Sequence, residues 1–126
     1  MNTPENLRYT KEHEWVIVEG DTVTFGITDF AQDALGDIVF ISLPKTGSKI
    51  VAGDTCGEVE STKSVSDIFA PVSGEVVEVN DSLTATPEVV NQDPYESGWM
   101  VKVQLSGALD ESSLLSATDY EALTKG

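Results

Sequence analysis

The sequence predicts a mainly β protein with one short internal helix and a helical C-terminal segment. Three observations lead there. Short runs of alternating polar and apolar residues are bounded by Gly, Asp and Pro; one stretch between two such runs carries helix-start and helix-stop residues; and leucines recur at near-helical spacing toward the end of the chain. With 126 residues the chain lies within the range of one domain, in which roughly two thirds of the unfolded surface can be buried around one core. Residues 1–126 are therefore read as one unit, with the helical segment at about 109–125.

The first strands are Trp15 to Val18, Val23 to Ile27 and Ile38 to Leu43, rich in β-branched and aromatic residues and separated by Gly20-Asp21, Gly36-Asp37 and Pro44. Between the second and third, Asp29 is placed to cap a two-turn helix, Gln32 to complete a capping box and Gly36 to supply the residue after its end. Gly57-Glu58-Val59-Glu60 and Gly74-Glu75-Val76-Val77-Glu78 echo each other across Lys63, as two matching hairpin arms would. Trp99 to Leu105 gives a further alternating strand after a loop marked by Pro87, Pro94 and Gly98. In the tail, Leu109, Leu114, Leu115, Tyr120 and Leu123 follow a helical period, with Thr118 placed to cap the last turns.

Charge excludes some functions. Twenty-two acidic against seven basic side chains give −15 and a pI near 4.1. Arg8 is the one arginine and the lysines are scattered, so nucleic acid and anionic membrane surfaces are not expected partners. Acidity of this size either keeps the protein soluble and monomeric through self-repulsion or steers it toward basic docking surfaces. Cys56 alone cannot close an intrachain disulfide or form a CxxC pair, and neither a signal peptide nor a membrane-length apolar run is visible, which together suit the cytoplasm.

Catalytic machinery is sparse: no nucleophile elbow, phosphate loop or metal-ligand pattern is present. His13, beside Glu14 and Trp15, reads as a packing or turn residue, and Cys56 as a small core hydrophobe. Lys63 stands apart as the only cation between Lys49 and Lys102, set among small polar residues that suit a hairpin turn. Such a turn exposes a primary amine on a flexible stem, which is what an acylating enzyme needs and is also what a solubilising surface charge looks like.

The wider blocks separate those readings. His13-Glu14-Trp15-Val16, Gly26-Ile27-Thr28-Asp29, Ala34 through Phe40, Leu43-Pro44, Glu60-Ser61-Thr62-Lys63-Ser64-Val65-Ser66-Asp67, Ala70 through Gly74, Asn91 through Tyr95 and Gly98-Trp99-Met100 stand in this order over nearly the whole chain. In these the sequence resembles the glycine cleavage system H protein family. The resemblance implies a barrel-sandwich hybrid, lipoyl-domain-like, of two small antiparallel sheets, with lipoate joined covalently to Lys63 at a hairpin. It implies a carrier that is not itself an enzyme and holds no metal. Its task would be to take an aminomethyl group from a pyridoxal phosphate glycine decarboxylase to a tetrahydrofolate aminomethyltransferase, and a dithiol to the FAD enzyme dihydrolipoamide dehydrogenase. A lipoate-attaching enzyme is a further implied partner.

Glu14 and Asp67 match the family positions that hold the loaded arm against a surface cleft. Thr62 stands where Val often precedes the modified lysine, and Ala34 where some members carry His. A biotinyl domain would place its lysine between methionines. A lipoyl domain of a 2-oxoacid dehydrogenase, or a protein acting mainly as lipoyl donor, is the alternative, although a 2-oxoacid dehydrogenase domain would leave the His-Glu-Trp and Gly-Trp-Met blocks without a purpose.

Overall fold

The computed structural model describes residues 3–107 and 114–125. Two antiparallel sheets dominate. The larger is built from β1 (Arg8–Tyr9), β2 (Glu14–Glu19), β3 (Thr22–Ile27), β5 (Lys49–Ile50), β8 (Gly74–Val79) and β9 (Val101–Leu105), in the order β1-β2-β3-β9-β8-β5. The smaller joins β4 (Ile38–Ser42), β6 (Thr55–Ser61) and β7 (Val65–Phe69) in the order β4-β6-β7, which leaves β7 as a free edge. Helices α1 (Asp29–Leu35), α2 (Ser82–Ala85), α3 (Val89–Gln92) and α4 (Ala117–Lys125) complete the described elements. No helix of the described residues is long and apolar enough to cross a membrane.

Period-2 alternation turns one face of each sheet inward. Val23, Phe25 and Ile27 of β3 meet Ile38 and Ile41 of β4, Val59 of β6, Ile68 of β7 and Val76 of β8 in the main core. Burying side chains of this size contributes about 1.5–3 kcal/mol each, so the packing of the sheets supplies most of the driving force for folding. A second cluster of Leu7, Tyr9, Trp15, Ala117 and Tyr120 seats α4 against β1 and β2; the Tyr9 and Tyr120 rings stack at 4.8 Å.

Several local expectations are corrected. Helix α1 is capped by Thr28, whose Oγ1 accepts the Ala31 N–H at 3.1 Å, and Asp29 is the first helical residue. Thr28 has the extended backbone a cap requires, and the Gln32 amide donates to Asp29 Oδ1 instead of returning to the cap. Gly36 does end the helix, at φ 85°, donating to the Gln32 carbonyl.

The Gly-Glu-Val echo does not form two arms of one hairpin. β6 pairs with β7 immediately across the Lys63 turn, while β8 crosses to the other sheet and pairs with β9 and β5. The Ala70-Pro71-Val72 corner separates the two, since proline cannot donate to a ladder and the strand must end there. The leading glycines nonetheless share a cause: a side chain at Gly57 would collide with the Ser42 carbonyl, and one at Gly74 with the Gln104 carbonyl.

In the tail, the helix starts only at Ala117. Ser116 Oγ accepts the Asp119 N–H at 3.2 Å, so Ser116 is the cap and Thr118 lies within the first turn. Leu115 is extended and bridges Tyr9 through reciprocal backbone hydrogen bonds of 2.9 and 2.7 Å. Leu109 lies outside the described residues. Strand β9 begins two residues later than predicted, at Val101, although the Met100 N–H already donates to the Phe25 carbonyl at 3.0 Å.

Candidate functional site

Strands β6 and β7 are joined by a turn whose central residues are Thr62 and Lys63. Ser61 organises it: its N–H donates to the Ser64 carbonyl at 2.8 Å, and its Oγ accepts from the N–H groups of Lys63 and Ser64 at 3.2 and 3.1 Å. The backbone is thus satisfied locally while the Lys63 side chain remains exposed. Thr62 N–H donates to the Asp37 carbonyl at 3.1 Å, a backbone contact that any residue but proline could make.

Beneath the turn lies the end of α1. A Cβ placed on Gly36 would sit 3.3 Å from Lys63 Cε and 3.5 Å from Nζ, so the lysine stem lies across this glycine. The segment below is braced by Asn91, whose amide donates to Gly36 O and Gln32 Oε1, both at 2.9 Å, and whose Oδ1 accepts the Ile38 N–H at 2.9 Å. Tertiary contact, not local propensity, therefore fixes the floor under Lys63.

Next to that floor a cleft of about 200 Å³ runs between α1, the Glu12–Glu14 segment and the free edge of β7. Phe30, Ala34 and Leu35 give one wall, and Asp67 stands on the other. Glu14 and Asp67 thus line one cavity although 53 positions separate them in the chain. Ala34, at the exposed side of α1, contributes only a methyl group.

The two acids differ in their surroundings. Asp67 is exposed, whereas Glu14 is only 2% exposed. The Thr10 hydroxyl donates to Glu14 Oε1 at 2.7 Å and accepts the Glu14 N–H at 3.1 Å. Burial pushes the Glu14 carboxyl up to about 7, with the negative charge of Glu12 adding to the rise; the Thr10 hydroxyl and the Phe69 backbone amide pull it partly back. Glu14 is therefore poised to exist in both protonation states near neutral pH.

His13 turns the chain into this site with φ 73°, in the left-handed region that non-glycine residues seldom occupy. Its ring lies 4.8 Å from that of Phe30, and its Nδ1 is 2.7 Å from the Tyr120 hydroxyl, which is also 2.7 Å from Thr28 Oγ1. Burial lowers the His13 pKa, favouring the neutral ring. The His13 backbone carbonyl meanwhile accepts the Thr28 N–H at 3.0 Å. One tyrosine of α4 thus ties the cleft loop to the cap of α1. The expected turn role of His13 fits this placement, but the roles of Thr10, Asn91 and Tyr120 were not legible in advance. Thr10 could have been found from its position four residues before Glu14 in a tight turn; no local signal points to Tyr120. Cys56 is half-buried against the core, and burial together with nearby Glu14 raises its thiol to about 12, which disfavours the thiolate.

An exposed lysine on a tight hairpin turn of a two-sheet fold, beside an acid-lined cleft, is the arrangement of a carrier domain. The sequence family agrees. Residues 7–126 match the family model described as Glycine cleavage H-protein, and the chain belongs to that family. It is 54% identical over 126 residues to a glycine cleavage system H protein of Beutenbergia cavernae, covering 100% of this chain and 99% of that one. A Geobacillus thermodenitrificans protein of the same description is 54% identical over 123 residues, covering 98% and 97%. The crystal structure of a glycine cleavage system H protein from Mycobacterium marinum superposes with a TM-score of 0.89 at 43% identity, over 98% of this chain and 99% of that one.

Proposed function

We propose that the chain carries lipoate in amide linkage to Lys63 Nζ and moves an aminomethyl group from a pyridoxal phosphate glycine decarboxylase to a tetrahydrofolate aminomethyltransferase. Dihydrolipoamide dehydrogenase would then reoxidise the dithiol on its FAD. The observation that carries this reading is the exposed Lys63 amine lying over the end of α1, whose Ala34 and Leu35 line a cleft that also holds two carboxylates. When attached, lipoate supplies a reducible disulfide at the end of a flexible arm; the chain's own residues attach, orient and shelter it.

The residues present suit such a group. Phe30, Ala34 and Leu35 offer an apolar wall to a hydrocarbon arm and dithiolane ring. Glu14 and Asp67 would attract a cationic aminomethyl nitrogen by charge-assisted hydrogen bonding, while an uncharged ring gains little from them. Docking is therefore selective for the loaded state. A charge of −15 supports a monomer that meets its partner enzymes through their basic faces, and the single cysteine suits a reducing cytoplasm.

Intact mass of protein purified from its native source tests attachment, and glycine-dependent CO2 release by the purified decarboxylase tests carriage. The lipoylated form should support that release and the bare form should not. Absence of a lipoyl mass increment on Lys63, or no difference between the two forms, would overturn the assignment.

A further inference from the structure

We propose that Phe40 and Val65 form the apolar centre of the surface gripped by the lipoate-attaching enzyme, a partner that presents a basic rim around an apolar spot. The inference rests on the reading of Lys63 as the attachment point. On the smaller sheet, Phe40 of β4 and Val65 of β7 both stand opposite Glu60 of β6, so the three form one row across the solvent face. Adjacent strands lie about 4.8 Å apart, which puts Phe40 and Val65 roughly 10 Å from each other. They are 50% and 57% exposed, and Val39, at the bulge beside Phe40, is 49% exposed. Large apolar groups left uncovered in a cluster mark a contact surface more often than single exposed ones do.

Lys63 lies at the turn that closes this row, two residues from Val65. An enzyme acylating the bare lysine must reach it through a side chain only about 6 Å long, and so must press against the hairpin itself. The enzymes that work on the lipoyl sulfurs meet the end of a much longer arm and have no such requirement. The same surroundings fix the partner's charge: Asp37, Glu58, Glu60 and Asp67 lie on or beside the hairpin, and Lys63 is the one cation between Lys49 and Lys102. The reaction itself uses an acyl adenylate made from lipoate and ATP. The Lys63 Nζ–acyl bond forms, the acyl–phosphate oxygen bond breaks, AMP leaves with the electron pair and the nitrogen gives up a proton.

The test is acylation of the bare protein by a lipoate–protein ligase with lipoate and ATP, comparing wild type with Phe40→Ser, Val65→Ser and the double variant. Val77→Ser, 43% exposed on β8 of the other sheet, is the matched control. Loss of an aromatic anchor should raise KM for the protein about tenfold with kcat little changed. Phe40→Leu should restore most of the loss and Val77→Ser should behave as wild type. Unaltered KM in the double variant overturns the proposal, as does normal acylation combined with slower glycine-dependent CO2 release, which would give the face to the decarboxylase. Failure of the wild type itself to accept lipoate on Lys63 would instead remove the reading on which the proposal stands.

Discussion

Replacing Glu14 by Gln should make the protein more stable at alkaline pH and a poorer guardian of its cargo. The stability half follows from linkage. The Glu14 carboxyl titrates at about 7 in the folded chain against an ordinary value of 4.5, so between these values the folded state binds the proton more tightly than the unfolded one. Stability from this group is then undiminished below about pH 4.5, falls as pH rises toward 7, and stays reduced above it. At 1.36 kcal/mol per pH unit the full loss is about 3 kcal/mol. A Gln has nearly the same shape, can still accept from the Thr10 hydroxyl and carries no charge at any pH. Its extra buried donor offsets about 1 kcal/mol of the gain, leaving roughly 2 kcal/mol above pH 8.

For a chain of this length that is an increase in Tm of roughly 8 °C at pH 8, shrinking as pH falls and reversing to a decrease of roughly 4 °C near pH 4.5, where only the cost of the extra donor remains. Urea or thermal unfolding of both proteins across pH 4.5–9 measures it, and the difference curve cancels the many other acids. The same variant lacks the charge that would hold a cationic nitrogen. A neutral hydrogen bond in its place is weaker by about 1.4 kcal/mol, so non-enzymatic release of ammonia and formaldehyde from the aminomethylated protein should quicken about tenfold at equal lipoylation. Parallel stability curves would refute the buried-acid argument, and equal release rates would remove Glu14 from the docking site.

Other substitutions probe the surrounding parts. Lys63→Arg should abolish lipoylation, read by intact mass, while stability stays within about 0.5 kcal/mol of wild type because the side chain is exposed. Gly36→Ala should cost about 1–2 kcal/mol in urea unfolding, since φ is 85° there and the new Cβ would press on the Lys63 stem. Tyr120→Phe removes the hydroxyl shared by His13 and Thr28 and should cost about 1–3 kcal/mol; the His13 ring resonances in NMR should shift with it, whereas a variant acting only through the Tyr9 stack would leave them in place.

How much of this was legible in the sequence depended on where the determining contacts lie. Strands β2, β3 and β4 could be read from alternation and their Gly and Asp boundaries, and Gly36 ended α1 as its position implied. The α1 cap was misplaced by one residue because Thr28 and Asp29 are both good caps, and the choice is made by the extended backbone at Thr28, itself held by the His13 carbonyl. The echo at Gly57 and Gly74 is a record of close strand approach, which period-2 reading cannot distinguish from hairpin symmetry. At the site, Lys63 stood out by isolation. Its floor did not, because Asn91 reaches Gly36 from 55 positions away and Tyr120 ties the cleft from the other end of the chain.

The costs of the fold are not spread evenly. A buried acid at Glu14, a left-handed non-glycine at His13 and a lysine stem laid over Gly36 all gather around one cleft, while the main core is filled by ordinary aliphatic packing. Each is a local departure that apolar burial elsewhere has to offset. For Glu14 the reason is chemical. An exposed carboxylate would be screened and would discriminate weakly between charged and uncharged arms; a buried one is uncomfortable when ionised alone and is relieved when a cation enters. In the proposed docking, the energy that burial holds against an ionised Glu14 would become preference for the loaded arm. Proposed carriage would need that preference to be moderate: Asp67 is exposed at the cleft, so a partner enzyme able to cover or compete with it could draw the cargo out.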